Sequence, residues 1–153
     1  MNFKKRKSLK VLKTQFLNTL MSNGKKNTTE KILLNTVKLI SKLQKFHLIN
    51  LLKLAFINST PIFKLNEQLI KRGKKKVKKQ IPFFLLTDST RILYGIKTIK
   101  TVSSKTRGSN FFYKSLGSEI LNLTKEKSNS IRSNIEIKTQ VLANKRYLSK
   151  FRW

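Results

Sequence analysis

The chain has 153 residues, and 35 Lys and Arg against 6 acids give a net charge of +29 at pH 7. At that density self-repulsion opposes a compact fold unless a partner brings negative charge, so nucleic acid is the leading partner and an anionic membrane surface the second. The absence of cysteine excludes disulfides and thiolate metal sites, and a single histidine, His47, leaves little material for nucleophilic catalysis.

A hydrophobic content of 39% suits one domain, residues 1–153, with a modest core. The first eight residues carry Lys4, Lys5, Arg6 and Lys7 and read as a basic extension. They lack the apolar core and small-residue cleavage site of a secretory signal, and a mitochondrial presequence there would be unusually rich in Lys. Leu9, Leu12, Phe16, Leu17, Leu20 and Met21 then recur at helical spacing, which predicts an amphipathic helix over 8–22 closed by Asn23-Gly24. Lys25 and Lys26 fall in the turn. Asn27 with Glu30 three residues on is an N-cap pattern for a second helix with Leu33, Val37 and Ile40 on its inner face. A third helix over 46–58 is apolar nearly all round, as a central core helix would be, and Pro61 stops it.

The stretch 71–79 holds seven cations in nine residues: Lys71, Arg72, Lys74, Lys75, Lys76, Lys78 and Lys79. No core can accommodate such a run. It is flanked by Ile62-Phe63-Lys64-Leu65 and by Ile81-Pro82-Phe83-Phe84-Leu85-Leu86, so residues 62–86 read as a β-hairpin or a long looped arm with a basic tip, Gly73 being free to take a positive-φ turn position. The competing reading is a solvated, disordered charge run.

Thr87-Asp88-Ser89 forms a capping cluster ahead of a helix carrying Ile92, Ile96 and Ile99 to about Ser103. Phe112, Leu116, Ile120 and Leu123 mark another helix, residues 124–130 a loop, and 131–151 a last helix with Ile137, Val141 and Leu148 inward. The expected fold is mainly α, about six helices with one protruding basic arm.

Nothing here assembles an active site. The acids are scattered, Glu30 and Asp88 being accounted for as helix-start residues, and Gly24-Lys25-Lys26 lacks the first glycine and the spacing of a phosphate-binding loop. No cofactor is implied. Function therefore rests on the basic clusters at 4–7, 25–26 and 71–79. Lysines, as point charges, suit phosphate backbones rather than base edges, so recognition by shape and charge is expected. Phe151 and Trp153 are candidates to stack on unpaired bases, the alternative for Trp153 being a terminal aromatic folded onto a helix. A DNA-binding regulator would need base-reading side chains on a second helix after a short turn, and a membrane-surface protein a long helix with lysines opposite Trp or Phe. Abundant Lys, Ile and Asn beside scarce Ala, Pro and Gly follow A/T-rich codons and point to a genome such as an organelle's.

The residues also carry a resemblance. The stretch from Phe16 through Asn18, Leu20-Met21 and Gly24-Lys25-Lys26 to Thr28, Glu30 and Ile32 resembles the amino-terminal signature of the small-subunit ribosomal protein S-seven family, Phe-x-Asn-x-Leu-Met before Gly-Lys-Lys-x-Thr-Ala-Glu-x-Ile. Pro61 is similar to the proline opening that family's arm, Ile81-Pro82 to its Val-Pro return, and Leu116-Gly117-Ser118-Glu119-Ile120 to its Leu-Ala-Asn-Glu-Leu helix. Ala143-Asn144-Lys145 and Phe151-Arg152-Trp153 resemble its Ala-Asn-Lys and Tyr-Arg-Trp close.

This resemblance implies six helices with a protruding hairpin, seated in the head of the small ribosomal subunit. It implies binding to the 3′ major domain of small-subunit rRNA, a part in head assembly, contact with the eleventh small-subunit protein, and a hairpin directed toward messenger and exit-site tRNA. Lys145 or Arg146, with Arg152 and Trp153, would join the rRNA-binding set. The family's Arg-Arg-x-Gly-Gly tip is replaced here, and the chain stops at Trp153 without the tail of many bacterial members, as in an organellar or shortened form. A mitochondrial ribosome is the expected location, with a plastid or an A/T-rich bacterium as alternatives.

Overall fold

A computed structural model describes residues 3–43, 48–72, 75–106 and 111–145. In chain order these form α1 (Phe3–Leu20), α2 (Lys26–Leu43), α3 (Leu48–Ser59), β1 (Phe63–Arg72), β2 (Lys75–Phe84), α4 (Asp88–Lys105), α5 (Phe112–Thr124) and α6 (Asn129–Ala143). The mainly helical fold with one antiparallel hairpin is as expected.

The core gathers around α5. Leu116, Ile120 and Leu123 are essentially without exposure, and the helix packs on α2, α3, α4 and α6. Gly117 lets α2 come close, since a Cβ there would lie 3.2 Å from Leu39 Cδ2. α3 shares the centre through Leu51, Ala55 and Phe56, and an edge-on contact of the Phe16 and Phe56 rings at 5.2 Å joins it to α1. Its apolar residues do not all go inward, however: Leu54 and Ile57 face solvent.

Several boundaries differ from the sequence reading. α1 begins at Phe3, so Lys4 to Lys7 lie on its first turns rather than in a separate extension. Lys and Arg are good helix formers and nothing in that stretch breaks a helix, although their like charges at helical spacing repel. The Asn23-Gly24 turn is present with both residues at positive φ (53° and 71°). α2 then starts at Lys26, not after Asn27. Its first turn is closed by Thr28 and Thr29, whose hydroxyls both donate to the Lys25 carbonyl, and Glu30 falls beyond that turn. Thr29 and Thr36 join Ile40 as the buried residues of α2, while Leu33 and Val37 are half-buried.

α6 begins at Asn129, inside the expected loop, and gives way at Asn144. Val141 is buried and Ile137 half-buried, as read; Leu148 lies outside the described residues, as do Phe46 and His47 at the expected start of α3. The early start of α6 has a specific cause. Glu119, 4% exposed on α5, accepts at Oε1 from Ser128 Oγ (2.6 Å), Ser130 Oγ (2.7 Å) and the Ser130 backbone N–H (3.0 Å). A carboxylate at a helix N-terminus meets the positive end of the dipole and orphan N–H groups, which offsets its desolvation.

Candidate nucleic-acid interface

The arm is built on a fixed root. Ser59, the last residue of α3, is fully buried, and its carbonyl accepts from Asn134 Nδ2 of α6 at 2.8 Å. Gly95 brings α4 against the same point: a Cβ there would stand 2.9 Å from Ser59 Oγ and 3.2 Å from its carbonyl oxygen. Asn58 Nδ2 donates to the Leu123 carbonyl at the end of α5 (2.9 Å). The chain therefore leaves the bundle at Pro61 from a junction of four helices. The return is fastened as well, by a Leu85 N–H bond to the Ile62 carbonyl (3.0 Å) and by Arg91 Nε donating to the Leu85 carbonyl (2.8 Å).

From this root the two strands pair without a bulge, from Phe63 opposite Phe84 to Arg72 opposite Lys75. Character changes along the ladder. Near the root Pro82 is buried opposite Leu65, and the Phe63 and Phe84 rings meet at 4.5 Å. A two-stranded ribbon has only edges, so the N–H that Pro82 lacks is tolerated. Further out Leu69 and Lys78 are exposed and Lys79 is half-buried. At the far end Lys71 stands opposite Lys76 and Arg72 opposite Lys75. Like charges directly opposite destabilise a ladder, so the distal half gains most from an anionic partner. Gly73 and Lys74 lie outside the described residues.

The second cluster sits at the α1–α2 turn, where Lys25 and Lys26 are exposed. Lys100 of α4 holds the turn in place, its Nζ donating to the carbonyls of Thr19 (2.9 Å) and Met21 (3.3 Å), where α1 presents its negative end. Lys145 is exposed just past α6; Arg146, Phe151, Arg152 and Trp153 are outside the described residues. Those nominated cations that fall among the described residues thus lie on different elements: the arm, the α1–α2 turn, the start of α1 and the end of α6. Among the described residues no helix is long and apolar enough to cross a membrane, and no group of His, Cys, Asp or Glu could hold a metal. A recess of about 380 Å³ between α1, α2 and α3 is lined mainly by apolar residues such as Leu12, Phe16, Leu33 and Leu52, with Lys13, Lys53 and Glu30 among its lining.

The family model for "Ribosomal protein S7p/S5e" matches residues 2–145. The chain belongs to this family. Among curated relatives it is similar to the small ribosomal subunit protein uS7 of Acidithiobacillus ferrooxidans, 24% identical over 91% of this chain and 85% of that protein. It is also similar to that of Myxococcus xanthus, 26% identical over 93% and 86%. Membership makes the S7 chain a structural, rRNA-binding protein of the small ribosomal subunit and gives its basic clusters a partner class.

Sequence reasoning missed one constellation in this S7 protein. Lys64, half-buried on β1, holds Nζ 5.2 Å from the centre of the Tyr94 ring on α4, and Lys97, one turn further along α4, holds Nζ 5.4 Å from it. The spacing of Tyr94 and Lys97 is visible in the sequence; the arrival of Lys64 depends on hairpin register and is not.

Proposed function

We propose that this S7 protein is a structural constituent of an organellar, most simply mitochondrial, small ribosomal subunit, that it binds the 3′ major domain of small-subunit rRNA and supports assembly of the head, and that its arm extends toward exit-site tRNA and messenger beside the eleventh small-subunit protein. The observation that carries this reading is the arm itself: a hairpin rooted where four helices meet, with its cations at the far end of the ladder. A probe directed at a nucleic-acid path needs that combination of fixed root and charged reach. Lys25, Lys26 and the Lys4 to Lys7 turns supply further backbone contacts, and Lys145, Arg146, Arg152 and Trp153 complete the rRNA-binding set. Residue usage that follows A/T-rich codons supports an organellar genome, with a plastid or an A/T-rich bacterium as the other sources.

Gradient sedimentation of extracts from the source organism tests the assignment. Co-migration with the small subunit through moderate salt, with backbone protections on the 3′ major domain of its rRNA, is the expected result. Recovery only with chromatin or membranes overturns it, and a gene outside any organelle genome removes the codon argument for location.

A further inference from the structure

We propose that Lys100 is a positioning residue for rRNA binding: reaching from α4, it fixes the end of α1 and the turn after it, so that Lys25 and Lys26 are presented to phosphates from a preset frame. The inference rests on the RNA-binding reading above and gives a part in it to a residue that is not itself a contact. The last turn of α1 carries no basic residue of its own to answer the negative end of the helix dipole. A helix end followed by residues at positive φ is commonly tied back by backbone N–H groups of the turn. Here the Met21 N–H bonds the Leu17 carbonyl (2.9 Å), but among the described residues no backbone N–H of Ser22, Asn23 or Gly24 returns to α1. The turn closes on itself instead, through the Lys25 N–H to the Ser22 carbonyl (3.1 Å) and the Lys26 N–H to the Gly24 carbonyl (2.8 Å). Such closure sets the shape of the turn but not its place on the bundle.

Lys100 supplies the missing tie. Its Nζ donates both to the Thr19 carbonyl, inside the last turn of α1, and to the Met21 carbonyl just beyond it, at 2.9 and 3.3 Å, so one ammonium bridges the helix end and the start of the turn. The base from which it reaches is firm. Ile96 and the neighbouring Ile99 are fully buried in the core, and Gln15 Nε2 of α1 donates to Ser89 Oγ of α4 (2.7 Å), a second bond between the same two helices. Lys100 is half-buried and spends two of its three donors on these carbonyls, whereas Lys25 and Lys26 are exposed. On the α2 side the Lys25 carbonyl accepts from the Thr28 and Thr29 hydroxyls (2.8 and 3.0 Å), which carries the frame into α2. The tip stands open, with no atom within 4 Å of where a Cβ on Gly24 would lie. A backbone ordered before the partner arrives loses less freedom on binding, and that is the advantage Lys100 confers on the two exposed lysines.

The test is a double-mutant cycle on the full chain, read by filter binding to a full-length small-subunit rRNA transcript from its own source. K100M, which keeps the stem and loses the donors, should weaken binding about threefold or more, as residues coupled through one network do. K100R, which keeps donors and charge, should bind within about twofold of the parent. In the K25A/K26A chain, which has lost the contacts themselves, K100M should cost less than about a further twofold. Hydrogen exchange on free K100M should show earlier exchange of the Lys25 and Lys26 amides, with those of α5 unchanged. If K100M does not fold, K100Q, also a good helix former, replaces it throughout the cycle. Equal losses from K100M with and without Lys25 and Lys26 would make Lys100 a phosphate contact in its own right and overturn the proposal. Parental binding by K100M overturns it too, and parental binding by K25A/K26A does so while leaving the rRNA-binding reading intact. Failure of the unsubstituted chain to bind the transcript at all overturns both.

Discussion

The bundle and the arm solve opposite problems. Around α5, Leu116, Ile120 and Leu123 are enclosed by four other helices, and even the buried carboxylate of Glu119 has its partners inside the chain. Along β1 and β2 the aromatic contact of Phe63 with Phe84 and the buried Pro82 lie near the root, and beyond Leu69 the register pairs mainly cations, with Ile70 opposite Val77 among them. One region is stabilised by what it buries and the other is completed by what it meets. Substitutions in the first should therefore move stability, and substitutions in the second should move binding and its salt dependence.

The largest effect expected is from Leu116→Ala. Truncating a fully enclosed leucine should cost about 2–5 kcal/mol, measured as a shift in the urea midpoint, because the surrounding helices collapse only partly into the space. Next comes Glu119→Gln, which replaces an acceptor-only carboxylate with an amide that cannot satisfy all three donors unless its oxygen takes the place of Oε1. A loss of about 1–3 kcal/mol is expected, with early exchange of the Ser130 amide, and an unchanged midpoint would remove Glu119 from the set of structural residues. Gly95→Ala belongs with these: its new methyl meets Ser59 at 2.9 Å, and overpacking there should cost about 1–3 kcal/mol and loosen the arm's root.

On the arm, replacing Lys74, Lys75 and Lys76 together by Ala should leave the melting temperature and helical content as they were. Affinity for rRNA should fall, and its salt slope should flatten by about 0.7–0.9 for each phosphate left without its lysine, read by filter binding across a salt series. A triple variant that unfolds would contradict the division drawn between the two regions. The smallest effect is from Asp88→Asn, which breaks a 3.7 Å ion pair with Arg91 whose carboxylate is 93% exposed; a change within about 0.5 kcal/mol is expected from thermal melts.

Much of this division was legible in the sequence. Periodicity located the helices, the cation run with apolar flanks located the arm, and Asn23-Gly24 fixed the turn that bears Lys25 and Lys26. What periodicity could not supply were the contacts between distant segments. Glu119 looked like a stray acid because its partners, Ser128 and Ser130, sit in a stretch that reads as loop, and the carboxylate is what lets α6 begin there. The close approach of Gly95 to Ser59, from a different helix, has no local signature either. The Lys64, Tyr94 and Lys97 group joins a strand to a helix across the turn at 85–87, and no local pattern encodes that approach. Charge misled at the first helix, where a basic run that reads as an extension has helix-forming side chains throughout.

Hydrogen exchange on the full chain, free and bound to its small-subunit rRNA, puts the central claim to the most direct test. The amides of α5 should be protected to the same degree in both states, while those of the outer ladder, in Leu69 to Arg72 and Lys75 to Lys78, should gain protection only in the complex. Equal protection of the outer ladder with and without RNA would contradict the claim that the arm is completed by its partner.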